Sequence, residues 1–350
     1  MRALSEYTLE ELQREFAGWG FKARHAAPVL RAHYAQESES PLDALLLPKS
    51  LSRRLHGAPG GAGARPAARQ EAADGTCKLL IRLGDGKTVE AVMMPDYRAD
   101  RAAGCVSSQV GCSMGCDFCA TTKTGYERNL TSGEIVEQFL ALRREARAGG
   151  RRLQTLVFMG MGEPMLNLDA VTEAIRRIAG GELGALGWRQ VTVSTVGIVP
   201  GIDALADSGL KVHLAVSLHA PDDETRARLL PMGRRFGVED ILAAADRYQE
   251  RTARPVTIQY CLLRGVNDSP GQALELAALV GSRRMHVNLL RYNPTGLSLR
   301  GIVYETSPED ASLAFLETLR SRNVVAHFRR PRGRDIDAAC GQLRRRAATG

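Results

Sequence analysis

An alternation of apolar, strand-like runs with helical runs begins near residue 103 and continues to residue 328. Repeated βα units of this kind predict an α/β fold with a parallel sheet, closed or partly closed. In such barrels the chemistry lies at the C-terminal ends of the strands. The predicted strands are 103–109, 156–159, 191–194, 212–218, 256–263, 286–290 and 324–328. The predicted helices are 132–146, 168–179, 204–208, 222–230, 238–252, 272–280 and 308–321.

The residues before this alternation predict smaller units. Residues 1–56 predict a helical module, in which Thr8-Leu-Glu-Glu11 has the capping-box pattern and further helical runs cover 26–34 and 41–47. Residues 57–76 are rich in Gly, Ala and Pro and predict a flexible linker. Strand-like runs at 78–83 and 88–94 predict a hairpin within a lead-in at 77–104, which precedes a barrel at 105–330 and a tail at 331–350.

The composition of the 350 residues, 44 % hydrophobic and 25 % charged, is that of an ordinary globular protein. No apolar run is long enough to span a membrane, and the N-terminus lacks the apolar stretch of a signal peptide. We therefore expect a cytoplasmic protein without a membrane partner. In that compartment the seven cysteines are expected to be thiols, ligands or catalysts rather than a disulfide framework.

The positive charge is concentrated at the C-terminal end. The chain has a net charge of +8, and nine arginines against two aspartates lie between Leu319 and Gly350. Such a run is either a solvated basic tail or a patch that neutralises the phosphates of a nucleic acid. Charge alone leaves both readings open.

Three cysteines, Cys112, Cys116 and Cys119, share one short loop with the spacing C-x3-C-x2-C. Three thiolates at this spacing can hold three irons of a [4Fe–4S] cluster and leave the fourth iron open to a small chelating molecule. A structural zinc site would need four ligands and usually two C-x2-C pairs, and the sequence offers no second pair or nearby histidine. The spacing is typical of radical S-adenosylmethionine (SAM) enzymes.

Small polar groups and glycines follow successive predicted strands. Each could be an ordinary turn, cap or structural side chain, but strand ends of one sheet meet at one edge and could bind one ligand. In a radical SAM barrel the glycine–glutamate segment would bind the SAM amino group, and the others its carboxylate, ribose or adenine. The candidate SAM-binding residues are Gly162, Glu163, Ser194, Ser217, Leu218, His219 and Asn293.

Two further cysteines are candidates for chemistry. Cys340 lies on a stretch of small residues flanked by arginines, which would favour its thiolate form. Cys105 lies seven residues before the first cluster cysteine. Cys77 and Cys261 lack such surroundings and are interpreted as structural.

The motifs together resemble the radical-SAM RNA adenine methyltransferases, which comprise the RlmN enzymes (C2 of adenine) and the Cfr enzymes (C8). The resemblance extends from about Lys78 to Leu343. It rests on Cys-Val-Ser-Ser-Gln-Val-Gly-Cys112, the cluster loop, Gly-Met-Gly-Glu-Pro164, Ser-Thr-Val-Gly197, Ser-Leu-His-Ala-Pro221, Gly-Val-Asn-Asp268, Tyr-Asn-Pro294 and Asp-Ile-Asp-Ala-Ala-Cys-Gly-Gln-Leu343. Some segments look like Cfr, among them Arg291-Tyr-Asn-Pro-Thr295, and Gln259 stands where RlmN enzymes commonly have Glu.

The resemblance implies a partial (β/α) radical-SAM barrel and a route that consumes two SAM molecules per turnover. One SAM methylates Cys340, and a second, bound at the cluster, yields a 5′-deoxyadenosyl radical that abstracts hydrogen from the S-methyl group. The resulting carbon radical adds to adenine, and Cys105 then attacks the Cys340 sulfur, which frees the product and leaves a disulfide. Glu90 matches the family's proton acceptor, although it could instead be an exposed strand carboxylate.

The resemblance also implies the partners: 23S rRNA and possibly tRNA, docked by the helical N-terminal module, and an electron donor such as flavodoxin or ferredoxin. A monomer is expected. The main hypothesis is a C2-directed rRNA methyltransferase. The alternatives are a C8 methyltransferase of the same family, a non-catalytic RNA-binding Fe–S protein and an activase that acts on a protein glycine.

Overall fold

A computed structural model describes residues 2–35, 40–57, 63–180, 185–330 and 332–343. Within these residues there are twelve strands and ten α-helices. The strands are β1 (Arg65–Glu71), β2 (Cys77–Arg82), β3 (Thr88–Pro95), β4 (Arg101–Cys105), β5 (Gln109–Gly111), β6 (Tyr126–Asn129), β7 (Arg152–Phe158), β8 (Val191–Thr195), β9 (His213–Ser217), β10 (Val256–Leu262), β11 (Met285–Arg291) and β12 (Ala326–Phe328). The helices are α1 (Leu9–Gly18), α2 (Ala26–Ala35), α3 (Lys49–His56), α4 (Ser132–Ala148), α5 (Leu168–Ala179), α6 (Val199–Asp207), α7 (Asp223–Leu229), α8 (Val238–Thr252), α9 (Pro270–Gly281) and α10 (Glu309–Ser321).

One ten-stranded sheet organises the molecule, in the order β1-β2-β3-β4-β7-β8-β9-β10-β11-β12. β1 to β4 pair antiparallel, whereas every pairing from β4 through β7 to β12 is parallel. The order is open, because β12 does not pair back to β4 in the described residues. The predicted α/β fold with a mostly parallel sheet is confirmed, and over the described ranges the sheet forms a partial barrel that does not close fully. β5 and β6 form a separate two-stranded sheet.

The parallel strands alternate buried apolar residues, which pack under the helices, with more polar residues on the other face. Val193, Leu214, Ile258 and Leu289 of four such strands are fully buried. A single apolar core runs from the N-terminal helices into this sheet and includes Phe16 of α1. The N-terminal helices thus share their core with the barrel.

Three predicted elements differ from the observed ones. The predicted linker 57–76 contains β1, and residues 58–62 lie outside the described part of the chain. β1 is a largely exposed edge strand held by backbone pairing to β2, so its sequence, Arg-Pro-Ala-Ala-Arg-Gln-Glu, shows no apolar alternation. The predicted helix at 41–47 is a series of turns, and α3 follows it. The predicted first core strand 103–109 is divided into β4 and β5, which belong to different sheets. The division of the chain into domains stays a prediction.

Candidate active site

The cysteine loop follows β4 and β5 and lies at the C-terminal edge of the sheet. Gly111, which precedes the first cysteine, has a φ of +78°, and a Cβ there would lie 1.7 Å from the Gly125 carbonyl oxygen. Only glycine fits this close approach of the two backbones. The loop is then held by hydrogen bonds from the Cys112 N–H to the Gly125 oxygen, 3.0 Å, and from the Asp117 N–H to the Leu229 oxygen, 2.9 Å.

Cys112, Cys116 and Cys119 are half-buried and unpaired. Burial raises the pKa of all three thiols, that of Cys112 to about 12. No group of three or more His, Cys, Asp or Glu side chains in the described part of the chain converges closely enough to hold a single metal ion. A four-iron cluster does not need such convergence, because each thiolate binds its own iron. The loop therefore fits a cluster better than a zinc ion.

A large cavity opens beside this loop. Its free space, including the open mouth, is about 1060 Å³, at the upper end of the roughly 300–1,000 Å³ that is usual for small-molecule sites. The predicted site residues that line it are Cys112, Cys116, Cys119, Gly162, Glu163, Ser194, Ser217, His219, Asn293 and Cys340. Leu218, also predicted to bind the cofactor, does not line it and is fully buried in the core. Ser217 ends β9 and faces the cavity, so the next side chain, Leu218, points to the opposite face. His219 lines the cavity from a left-handed backbone conformation with a φ of +61°.

Glu163 is the buried carboxylate of the cavity. Its Oε2 accepts a hydrogen bond of 2.9 Å from the Val196 N–H, and its Oε1 accepts one of 3.0 Å from the Met165 N–H. Burial raises its pKa to about 7 despite these donors. A carboxylate in this position is favoured in its charged form when a cation such as an ammonium group binds beside it.

Gln109 fixes the backbone of the same segment, and the sequence interpretation did not assign it a role. Its side-chain oxygen accepts a hydrogen bond of 2.9 Å from the Glu163 N–H. A Cβ on Gly162, where φ is +100°, would lie 2.6 Å from the Gln109 Cβ. The only signal for Gln109 was its place in the motif that precedes the cysteine loop.

His219 lines the cavity as a neutral imidazole. Burial lowers its pKa to about 3, and its Nδ1 accepts a hydrogen bond of 3.0 Å from the Cys261 N–H. The proton of the ring is therefore on Nε2. Cys261 itself also lines the cavity, although the sequence interpretation treated it as structural.

Gln259 carries an orphaned polar atom at the cavity wall. The residue is 4 % exposed, and its Oε1 is buried without a hydrogen-bond partner. Buried polar atoms are nearly always satisfied, so this oxygen indicates a donor supplied by a bound molecule. With the cysteines and Glu163, it gives the cavity the polar groups that SAM bound at a cluster would need.

The C-terminal segment brings Cys340 to the cavity and is held on both sides. On one side the Ala73 N–H donates to Asp335 Oδ2, 2.9 Å, and Lys78 Nζ donates to the Asp337 oxygen, 3.3 Å. On the other side the Ala120 N–H donates to the Gly341 oxygen, 2.7 Å. Cys340 lies between these anchors and is exposed.

A second, smaller cavity adjoins the first, and Cys340 and Arg329 line both. Cys105 lies in its wall, where burial, and to a lesser extent the Cys340 thiol, raises its pKa to about 12. Apolar side chains and arginines form the rest. They include Val92, Met94, Val157, Met159, Arg329, Arg330 and Arg332.

Glu90 lies in neither wall. It is 1 % exposed and pairs through Oε1 with Lys78 Nζ, 3.3 Å. The alternative of an exposed strand carboxylate is therefore wrong. Because Lys78 also donates to Asp337, the ammonium group connects Glu90 to the segment that carries Cys340.

The described residues contain no helix that is both long and apolar enough to cross a membrane.

A parallel α/β sheet with a three-cysteine loop at its C-terminal edge defines the radical SAM enzymes, and residues 106–277 match the model of the Radical SAM superfamily. The chain is 66 % identical over 344 residues to the probable dual-specificity RNA methyltransferase RlmN 1 of Opitutus terrae, which covers 98 % of this chain and 96 % of that protein. It is 42 % identical over 342 residues to the probable RlmN of Gloeobacter violaceus, covering 97 % and 94 %. The chain belongs to the RlmN family.

A solved structure shows the same fold. The crystal structure of a radical SAM methyltransferase from Sphaerobacter thermophilus matches with a TM-score of 0.90 at 42 % identity, covering 98 % of this chain and 99 % of that one. The family predicted from the motifs is thus confirmed. Membership implies a [4Fe–4S] cluster and SAM as cofactors.

Proposed function

We propose that this protein methylates C2 of an adenine in 23S rRNA, and an adenine in tRNA as the dual specificity of its relatives suggests. The observation that carries the proposal is the position of Cys340. One thiol lines both the cavity of the three-cysteine loop and the smaller cavity that contains Cys105. A thiol that accepts a methyl group at one place and passes it to a base at another needs this position.

The large cavity is the SAM site in this proposal. Cys112, Cys116 and Cys119 hold the cluster, Glu163 binds the amino group, and the unpaired Gln259 oxygen accepts a hydrogen bond from a hydroxyl or amine of SAM. The chemistry available when both cofactors are bound is one-electron cleavage of SAM to a 5′-deoxyadenosyl radical. The buried walls exclude water from that reaction.

Cys340 and Cys105 have different roles in the remaining steps, and two SAM molecules are consumed per turnover. Cys340 accepts a methyl group and presents it to the base. Before release, the adduct must lose one electron, which the oxidised cluster would take up, and its C2 proton, which goes to solvent. The Cys105 thiolate then attacks the Cys340 sulfur, the bond from that sulfur to the transferred carbon breaks, and its electron pair stays with the product, which takes up a proton to complete the methyl group. A disulfide between the two cysteines results, which an external dithiol must reduce. In the present state all seven cysteines are unpaired.

The smaller cavity is the site of the target adenine. A base would lie against its apolar walls, near Cys105, with the arginines at 329, 330 and 332 available to its phosphates. The resemblance gives Glu90 the proton released from the modified carbon, but Glu90 lines neither cavity and pairs with Lys78, so in this proposal it holds Lys78 instead. The helical module at residues 1–56 docks the RNA. We further propose that the protein acts as a cytoplasmic monomer that receives electrons from a flavodoxin or ferredoxin.

The test is the nucleoside formed. Reconstituted holoenzyme, SAM and dithionite are incubated with 23S rRNA fragments and tRNA, and the digested RNA is analysed by mass spectrometry. We expect 2-methyladenosine from the wild type and none from Cys340→Ala. Formation of 8-methyladenosine would overturn the C2 assignment. Equal activity of Cys340→Ala would overturn the mechanism.

A further inference from the structure

A hairpin that follows β11 presents an unusual apolar surface. Four of its side chains, Leu297, Leu299, Ile302 and Val303, are 42–64 % exposed, and we call them the apolar patch. Leu297 and Val303 face each other across the hairpin as an antiparallel bridge. Four large exposed apolar side chains within seven residues mark an interaction site rather than ordinary surface variation.

The hairpin is attached to the cysteine loop. The buried carboxylate of Asp117, next to Cys116, accepts a hydrogen bond from the Arg300 N–H, 3.1 Å, and one from the Tyr304 hydroxyl, 2.8 Å. Thr295 Oγ1 donates to the Phe118 oxygen, 3.1 Å. The hairpin that carries the apolar patch is therefore held directly to the loop of the cluster cysteines.

Two arginines, Arg300 and Arg228, lie beside the apolar patch, and two more lie near the cysteine loop. Arg300 lies on the hairpin itself and donates to the Arg228 oxygen, 3.0 Å. Both guanidinium groups lower the pKa of Tyr304, although burial and Asp117 raise it overall. Arg234 and Arg235 follow Pro231, which lies beside Gly115 of the cysteine loop. In the described part of the chain none of these four arginines forms an ion pair with a carboxylate.

We infer that the apolar patch and its arginines dock a small acidic protein that carries one electron to the cluster. This inference rests on the proposed function, because only a radical reaction needs such a carrier. An apolar centre with an arginine rim is the anatomy of a protein–protein interface, whereas nucleic-acid interfaces are more polar throughout. The basic rim selects an acidic partner. In the reaction the reduced carrier loses one electron and the oxidised cluster gains it.

The experiment compares a protein reductant with a chemical one that needs no docking. Leu297→Ser/Val303→Ser and Arg300→Glu are made in the full chain, with Leu274→Ser/Leu313→Ser as the matched control, since those leucines are similarly exposed on α9 and α10. Binding of oxidised plant-type ferredoxin and of flavodoxin to holoenzyme is titrated at low and high salt. Cluster reduction by each reduced carrier and by dithionite is followed by stopped flow, and RNA affinity is measured in parallel.

We expect Leu297→Ser/Val303→Ser and Arg300→Glu each to weaken the binding of one carrier and to slow cluster reduction by that carrier at least about tenfold. Losses of this size are usual when a residue that dominates the binding energy of an interface is removed. Reduction by dithionite, dithionite-supported RNA methylation and RNA affinity should match the control variant. The inference fails if the variants change neither carrier binding nor the rate of cluster reduction, or if the wild type binds neither carrier. It also fails if the variants lower RNA affinity instead, because the hairpin would then be an RNA-binding surface. Failure of the proposed function is separate, since it would abolish dithionite-supported methylation in the wild type too.

Discussion

The parallel half of the sheet, β4 and β7 to β12, and the antiparallel half, β1 to β3, contribute to the same cavities by different means. In the parallel half the predicted SAM-binding residues lie at or just after strand ends, as Ser194 lies near the end of β8 and Glu163 follows β7, so the fold brings them together directly. In the antiparallel half Lys78 and the turn at Ala73 act at a distance, by holding the C-terminal segment. Ligand-binding groups are thus supplied by strand ends, whereas Cys340 is positioned by contacts of its segment with β2 and with the turn that precedes β2.

The largest effect on activity should come from substitution of the two proposed catalytic thiols, Cys340 and Cys105. Cys340→Ala should lose methylation completely, because no other thiol in the described residues lines both cavities. Cys105→Ala should also stop turnover but leave the methylene bridge to RNA intact, so that a covalent protein–RNA species accumulates on a denaturing gel. Cys77→Ala, a buried cysteine outside both cavities, is the matched control and should retain activity. A Cys105→Ala protein that turns over normally would contradict the proposed release step.

The next largest effect is expected in the antiparallel half. Lys78→Met removes the ammonium group from a buried carboxylate and should lower the free energy of unfolding by about 3–5 kcal/mol. It should also release the Cys340 segment, which we would detect as faster amide hydrogen exchange in residues 333–343 and slower methyl transfer. The measurements are urea unfolding, hydrogen-exchange mass spectrometry and single-turnover assays.

The control for Lys78 separates positioning from stability. In Lys78→Met/Glu90→Gln the charge on each partner is removed, so most of the stability should return while the contact with Asp337 is still missing. If hydrogen exchange of the C-terminal segment also returns to the wild-type rate, Lys78 serves stability alone. Persistent fast exchange would establish that strand β2 positions Cys340.

A smaller effect should follow from Glu163→Gln in the parallel half. Loss of a charged hydrogen-bond partner costs about 1.5–3 kcal/mol, so the dissociation constant of SAM should rise roughly tenfold to a hundredfold. The amide oxygen can replace only one of the two carboxylate oxygens, so one of the backbone donors at Met165 and Val196 loses its acceptor and some thermal stability should be lost as well. Titration of SAM into reconstituted enzyme measures the change, with thermal unfolding as the check on folding. Unchanged SAM affinity would remove Glu163 from the binding site.

The sequence predicted the parallel half and the hairpin of β2 and β3 well, and in the antiparallel half it missed β1. α5 and α8 were predicted to the residue, and all cluster cysteines and most candidate SAM residues line one cavity, since strand ends follow from apolar runs. The Leu218 side chain does not line that cavity, because adjacent positions on an extended chain face opposite ways, and its role in binding stays a prediction. Lys78 and the position of Cys340 depend on contacts between residues more than 250 positions apart, which no local pattern records.

The smallest effect tests β1, the strand predicted as linker. Arg69 on β1 donates through Nε to Glu145 of α4, 2.7 Å, and through Nη2 to Glu71, 2.8 Å. Because Arg69 is half exposed, Glu145→Gln should lower the free energy of unfolding by only about 0.2–1 kcal/mol. Glu71→Gln is the matched control: it removes the contact within β1 and should cost less, since Glu71 is more exposed than Glu145. Urea unfolding of both variants provides the comparison. Equal stability of Glu145→Gln and wild type would mean that β1 is held by backbone pairing to β2 alone, and that α4 gives the antiparallel half no electrostatic support.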